Sequence, residues 1–262
     1  MIRRRMFQAM FAGAVALCAV TGLASAEALD DILAAKVIRI AVPTDYPPFG
    51  AIGADMQPQG LDIDMARLIG KELGVRTELV AVSSANRIPY LQSKKVDLVI
   101  STLGKNPDRE KVIDFSAAYA PFFMGVFGVK GAAVTKPEEL SGKTVGATRG
   151  ALEEQELAKI APSDITIKRY EDNNATVAAY VSGQVDIIAA GNAVAAVIGE
   201  RNAARAPDLK FIIKNSPCFI GLNKDEPKLL AKVNEIIAKA RASGESEKMS
   251  QTWLKAPLPP GF

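Results

Sequence analysis

The residues best equipped for chemistry cluster in the stretch from Leu98 to Ser116, LVISTLGKNPDREKVIDFS. Three apolar residues open it and suit the inner end of a buried strand. Ser101 and Thr102 bring hydroxyls to that strand's C-terminal end, and Gly104 allows a close backbone approach. Asn106-Pro107-Asp108 reads as a helix start, with Asn106 as cap and Pro107 at the first helical position. Arg109 falls in that first turn. Hydroxyls, backbone N–H groups and a guanidinium thus converge where α/β sheets tend to hold ligands, outside the carboxyl ends of strands. A guanidinium fork matches a carboxylate at two points. The chemistry is carboxylate binding; the competing reading is a surface Arg109 paired with Asp108, Glu110 or Asp114.

A second cation sits in SSANRIPYL, where Ser83 to Asn86 cap a helix that carries Arg87. A guanidinium near a helix start makes a second anion site. The alternative is an exposed Arg87 held by Asp108 or Glu110. The loop P-T-D-Y-P-P-F-G offers Tyr46 and Phe49, stiffened by three prolines; packed down, both rings would simply plug the loop. Asp62 and Asp64 fall in the first turn of a helix, where the helix dipole favours negative charge. They read as capping residues rather than as a metal or acid–base pair.

Composition removes several classes of function. The 262 residues include no His, which excludes Ser-His-Asp and Cys-His mechanisms and His-ligated zinc. G-x-S-x-G, G-x-x-x-x-G-K-[ST] and G-x-G-x-x-G are also missing. The N-terminus has a basic run, Arg3 to Arg5, an apolar run from Phe11 to Val20, and Ala24-Ser25-Ala26 as a cleavage site. It reads as a secretory signal over residues 1–26, with an apolar run shorter than the ~20 residues a membrane span needs. Cleavage would remove three of the 32 basic residues and none of the 29 acidic ones, leaving a balanced chain with no nucleic-acid footprint. Cys218 would then be the only cysteine, so no internal disulfide forms; it reads as a buried filler.

The elements that position these residues alternate. A short helix from Leu29 to Ala35 precedes a strand Val37 to Val42. A helix opening at Gly60 runs to Leu73, and a strand Val75 to Val82 follows. After the Leu98 strand and an Asp114-Phe115-Ser116 turn comes a long apolar crossing strand, 122–129. The pattern then restarts: a one-turn helix at Pro137, strand 144–148, a turn at Arg149-Gly150, helix 151–160, strand 165–170 and helix 174–183. Tyr90-x-x-Ser93-x-x-Val96-Asp97 is echoed by Tyr180-x-Ser182-x-x-Val185-Asp186, each before an apolar strand, which hints at two lobes of like build. Strand 209–213, a return crossing at 217–222, an amphipathic helix 229–240 and a closing helix with Trp253 complete the chain.

S-T-L-x-K-x-x-x-R-x-x-x-x-D-F-S resembles the Arg-containing segment of amino-acid-binding proteins of ABC importers, the family 3 solute receptors. The resemblance spans essentially the whole chain after the signal. It implies an α/β, two-lobed periplasmic binding protein type II fold with two crossing strands, near 118–124 and 215–221, as hinge. Lobe one would take 27–120 and 220–262, lobe two 121–219. It implies that Arg109 clamps a ligand carboxylate, with Ser101, Thr102 and Gly104 beside it and the Tyr46 ring against the ligand. S-x-N-R-I-P is similar to glutamate and aspartate receptors, in which the residues at Ser84 and Arg87 bind a side-chain carboxylate. From lobe two, backbone N–H groups at Gly150, Ala151 and Leu152 would close over the ligand, although the family's usual hydroxyls are missing there. The family's Asp for an ammonium is replaced by Gly191; Asn192, Glu171 or Asp172 would have to substitute. Trp253 would be core.

The implied protein is a periplasmic receptor, not an enzyme, that hands a carboxylate or amino-acid ligand, most readily a polar or acidic amino acid, to the membrane subunits of an importer. It would be a monomer, without cofactor, metal or nucleic acid. The alternatives are an exported enzyme on this fold, similar to cyclohexadienyl dehydratases with Asp45, Glu171 or Asp172 as acid or base, and a receptor for a signalling partner.

Overall fold

Alternating apolar strands and amphipathic helices build two five-stranded sheets, each with its own helices, in a computed structural model that describes residues 28–260 and 262. The signal expected over 1–26 lies outside the described residues. Among the described residues, no helix is long and apolar enough to cross a membrane.

In the first sheet, Val37–Val42 lies between Arg76–Ala81 and Leu98–Leu103, parallel to both. Cys218–Asn223 then runs antiparallel between Leu98–Leu103 and Ile113–Ala120. The second sheet repeats this plan. Thr144–Thr148 lies parallel to Thr166–Tyr170 and Ile187–Gly191, and Phe123–Gly128 runs antiparallel between Ile187–Gly191 and Asp208–Asn215. In each sheet the antiparallel intruder is a strand that has just crossed from the other. The crossings at 121–122 and 216–217 are neighbours, joined by the Ser216 N–H donating to the Phe122 carbonyl at 3.2 Å.

The Val-Asp echo is structural. Val96-Asp97 leads into Leu98–Leu103, and Asp97 accepts the Arg39 N–H at 2.7 Å. Val185-Asp186 leads into Ile187–Gly191, and Asp186 pairs with Arg205 at 2.8 Å. Leu61–Leu73 buries Leu61, Ile63, Met65, Leu68, Ile69 and Leu73 in the core shared with the first sheet, as its apolar spacing requires.

Three expectations change. Asp114-Phe115-Ser116 is not a turn but lies within the strand Ile113–Ala120, stitched to Cys218–Asn223 by the Ile220 N–H donating to Ser116 Oγ at 2.9 Å. Asp62 is not a cap. It is fully buried, and accepts the Tyr119 hydroxyl at 2.6 Å and the Thr102 N–H at 2.8 Å. Trp253 is half-buried, and its indole N–H donates to Asp64 at 2.7 Å. A helix unmarked in the sequence, Asn192–Arg201, follows Ile187–Gly191. Cys218 is buried as expected, and burial pushes its thiol pKa well up.

Candidate functional site

The loops that end the parallel strands of the two sheets face each other. From the first lobe come Asp45–Tyr46, the turn and short helix around Ser84 to Arg87, and the end of Leu98–Leu103. From the second come the turn at Gly150, the first turn of the helix Leu152–Ile160, and Gly191.

Both arginines are buried, neither paired in the way a surface residue would be. Arg87 is 5 % exposed; its guanidinium donates to the carbonyls of Ser101 at 2.7 Å and Ser84 at 3.1 Å, and across the lobes to Gly150 at 3.4 Å. Arg109 is 4 % exposed and donates to the carbonyls of Gly104 at 2.9 Å and Gly150 at 3.0 Å; its Nε is buried without a partner. The expected Asn106 cap is present, accepting the Arg109 N–H at 2.9 Å. Asp108 and Asp114 pair with Lys111 and Lys224 instead. Among the described residues, neither guanidinium forms an ion pair. Burial lowers the pKa of both, and Arg87's charge lowers that of Arg109 further, to about 9.

The second lobe presents the opposite backbone group from the one expected at Gly150. Its φ is +73°, and an added Cβ would sit 2.7 Å from the Ala85 Cα, so only glycine serves this close contact. That conformation turns the Gly150 carbonyl toward both arginines. The Gly150 N–H instead donates to Glu154 at 3.0 Å, and the Ala151 N–H to the Thr148 carbonyl at 3.1 Å. Leu152 is buried, its side chain so close that a Cβ on Gly104 would meet it at 2.5 Å. Thr102 takes a left-handed φ of 46°, a strained conformation for a β-branched residue, with its N–H held by Asp62.

Tyr46 spans the lobes. Its hydroxyl donates to Glu153 Oε1 at 3.0 Å and accepts the Gly191 N–H at 3.1 Å. Burial, then the Glu153 charge, pushes its pKa well up. Asp45 forms a second link, accepting the Asn173 backbone N–H at 2.8 Å and its side-chain amide at 3.0 Å.

The residues expected to stand in for the missing Asp lie elsewhere. Asn192 turns its carbonyl oxygen to the Phe123 N–H at 3.3 Å. Glu171 is exposed and paired with Arg149 at 3.0 Å. Asp172 caps the helix Asn173–Val181 through the Ala175 N–H at 2.7 Å. Besides Asp45, the cleft holds a buried carboxylate that the sequence reading did not single out, Glu153, 7 % exposed. The sequence carries a signal for it, an acidic pair directly after R-G-A-L at a helix start, but that pair is equally a helix-dipole feature.

Gly191 leaves no space for a side chain. A Cβ there would lie 2.3 Å from Phe122 Cζ and 2.6 Å from the Tyr46 hydroxyl. Gly191→Asp is therefore expected to displace Tyr46 and destabilise the fold by about 1–3 kcal/mol, the usual cost of overpacking. Urea unfolding checks it; a variant as stable as the parent would show that the cleft yields freely.

Two small cavities, ≈ 10 Å³ each, are both bordered by Tyr46 and Glu153. Arg87, Ser84, Ser101 and Thr102 line one; Thr148, Thr176 and Ala190 line the other. A wider groove of ≈ 550 Å³ opens beyond the arginines, between Ala85, Arg109, Gly150 and Lys159.

The family model for bacterial extracellular solute-binding proteins, family 3, matches residues 38–256. A glutamine-binding protein of an ABC transporter from Bacillus subtilis is 27 % identical over 89 % of this chain and 88 % of its own. An L-arginine-binding protein from Pseudomonas aeruginosa is 26 % identical over 86 % of this chain and 91 % of its own. Among solved structures, a cysteine-binding protein from Campylobacter jejuni superposes with a TM-score of 0.81 at 27 % identity, covering 90 % of this chain and 96 % of its own. These relatives are named for binding solutes rather than for catalysis.

Proposed function

This chain belongs to the bacterial extracellular solute-binding proteins of family 3, and on that premise we propose that it receives a polar or acidic amino acid between its lobes and presents it to the membrane subunits of an ABC importer. The observation that carries the reading is the pair of buried guanidiniums, Arg87 and Arg109, which have no carboxylate partner among the described residues at the contact between the lobes. Buried charge is costly unless it is paired and hydrogen-bonded. Here backbone carbonyls supply hydrogen bonds, and a ligand carboxylate supplies the missing countercharge.

A cavity of ≈ 10 Å³ holds about one water-sized sphere. An amino acid is therefore admitted only when the lobes part about the crossings at 121–122 and 216–217. Closing re-forms the links Tyr46–Glu153, Asp45–Asn173 and Arg109–Gly150 around the ligand. A ligand that touches both lobes binds the closed state better than the open one, and that difference shifts the population toward the shape an importer reads.

Asp45, Glu171 and Asp172, the residues an enzyme on this fold would need as acid or base, are held by Asn173, Arg149 and the Ala175 N–H. Their engagement leaves these three poorly placed to act as acid or base.

Thermal unfolding against single amino acids and dicarboxylates tests the reading. A cognate amino acid at about one hundred times its Kd adds about 2.7 kcal/mol of stability and raises Tm by roughly 5–10 °C. No shift with any amino acid would remove the ligand class.

A further inference from the structure

We infer that Glu153 is the anionic partner for the ligand's α-ammonium, with the Tyr46 hydroxyl orienting its carboxylate. The inference rests on the amino-acid reading above and identifies the second half of the recognised group.

Four observations lead there. Glu153 is 7 % exposed yet forms no ion pair among the described residues. Only Oε1 is engaged, by the Tyr46 hydroxyl at 3.0 Å; no bond from a described residue reaches Oε2. Glu153 lines both small cavities of the cleft. Gly191, the neighbouring position that could otherwise project a carboxylate into this space, is closed to any side chain by Phe122 and by the same Tyr46 hydroxyl.

A buried carboxylate without a cation is as incomplete as the unpaired arginines opposite it. Their charges are felt at one another across the cleft, since Glu153 acts on both Arg87 and Arg109. Two cations on one wall and an anion on the other complement a zwitterion: carboxylate toward the guanidiniums, ammonium toward Glu153. An ammonium donates three hydrogen bonds, and Oε2 accepts one with charge assistance. The Tyr46 hydroxyl spends its one proton on Oε1, which holds the carboxylate and leaves Oε2 without a hydrogen bond from a described residue. Sequence reasoning looked for this group at 191 and its neighbours because no local pattern links Glu153 to Tyr46, 107 positions away.

The test is calorimetric titration of wild type, Glu153→Gln and Glu153→Asp. The probes are glutamine, arginine and glutamate, with glutaramate and glutarate as the des-amino counterparts of glutamine and glutamate. Glu153→Gln keeps an acceptor for Tyr46, so its Tm without ligand should match wild type. The inference predicts thirtyfold or greater weakening for every amino acid the wild type binds, with the des-amino acids showing the same affinity, or none, in both proteins. Glu153→Asp should recover part of the loss. Three results overturn the assignment: unchanged amino-acid affinity, equal weakening of amino and des-amino acids, or loss confined to arginine, which would put Glu153 at a ligand side chain. If the wild type binds no amino acid at all, the receptor reading fails first and takes this inference with it.

Discussion

Asp62→Ala is expected to lower the unfolding free energy by about 2–5 kcal/mol, the cost of leaving two buried donors without a partner. The donors are the Tyr119 hydroxyl at 2.6 Å and the Thr102 N–H at 2.8 Å, both on a fully buried carboxyl. The loss should also loosen the site, because Asp62 pins Thr102 in its left-handed conformation at the end of the strand that carries Ser101. The same group gives stability a pH dependence. Burial raises its pKa from 3.8 to about 7, against the opposing bonds from Tyr119 and Thr102 and the charge of Arg87. Folded protein thus holds a proton that unfolded chain releases between pH 4 and 7. The stability contributed by that proton is complete below the unfolded pKa and is lost as pH rises toward about 7. Urea midpoints across pH 4 to 8 should therefore fall less steeply in Asp62→Asn than in wild type. Parallel profiles would mean that Asp62 titrates normally in the fold.

Arg109→Ala should weaken ligand binding by roughly tenfold to several hundredfold, since each hydrogen bond to a buried charge contributes about 1.5–3 kcal/mol. The variant removes a cation facing the ligand and also the 3.0 Å bond that holds Gly150 of the second lobe against the first. Both effects act on the closed, ligand-bound arrangement. Arg109→Lys should recover little, because a single ammonium cannot span the carbonyls of Gly104 and Gly150 as the guanidinium does at 2.9 and 3.0 Å. Calorimetry on the purified variants decides it; affinity equal to wild type in Arg109→Ala would take Arg109 out of the site.

What could be read from the sequence was local. The apolar run before Ser101, the Asn106-Pro107 helix start and the two Val-Asp turns depend on residues a few positions apart, and all three appear in the structure. For Arg87 the sequence left two readings open, a pocket residue and an exposed one held by Asp108 or Glu110; the structure buries it beside Ser84 and Ser101. What depends on distant pairing was not legible. Asp114-Phe115-Ser116 looked like a turn because the strand that pairs with it begins about a hundred residues later, at Cys218. Gly150 marked a turn, but whether the turn offers N–H or carbonyl to the cleft is set by a φ of +73° against Ala85 of the other lobe. Asp62 and Asp64 are alike in sequence. Only packing sends one to Tyr119 and Thr102, and the other to Trp253.

The central claim is that the cleft between the lobes recognises an amino acid as a zwitterion. Calorimetric titration of the ligand-stripped protein with glutamine, arginine, glutamate, aspartate and succinate tests it most directly. The account predicts saturable one-to-one heat from at least one amino acid and none from succinate. Tight binding of succinate, with silence from every amino acid, would contradict it and leave a receptor for plain dicarboxylates.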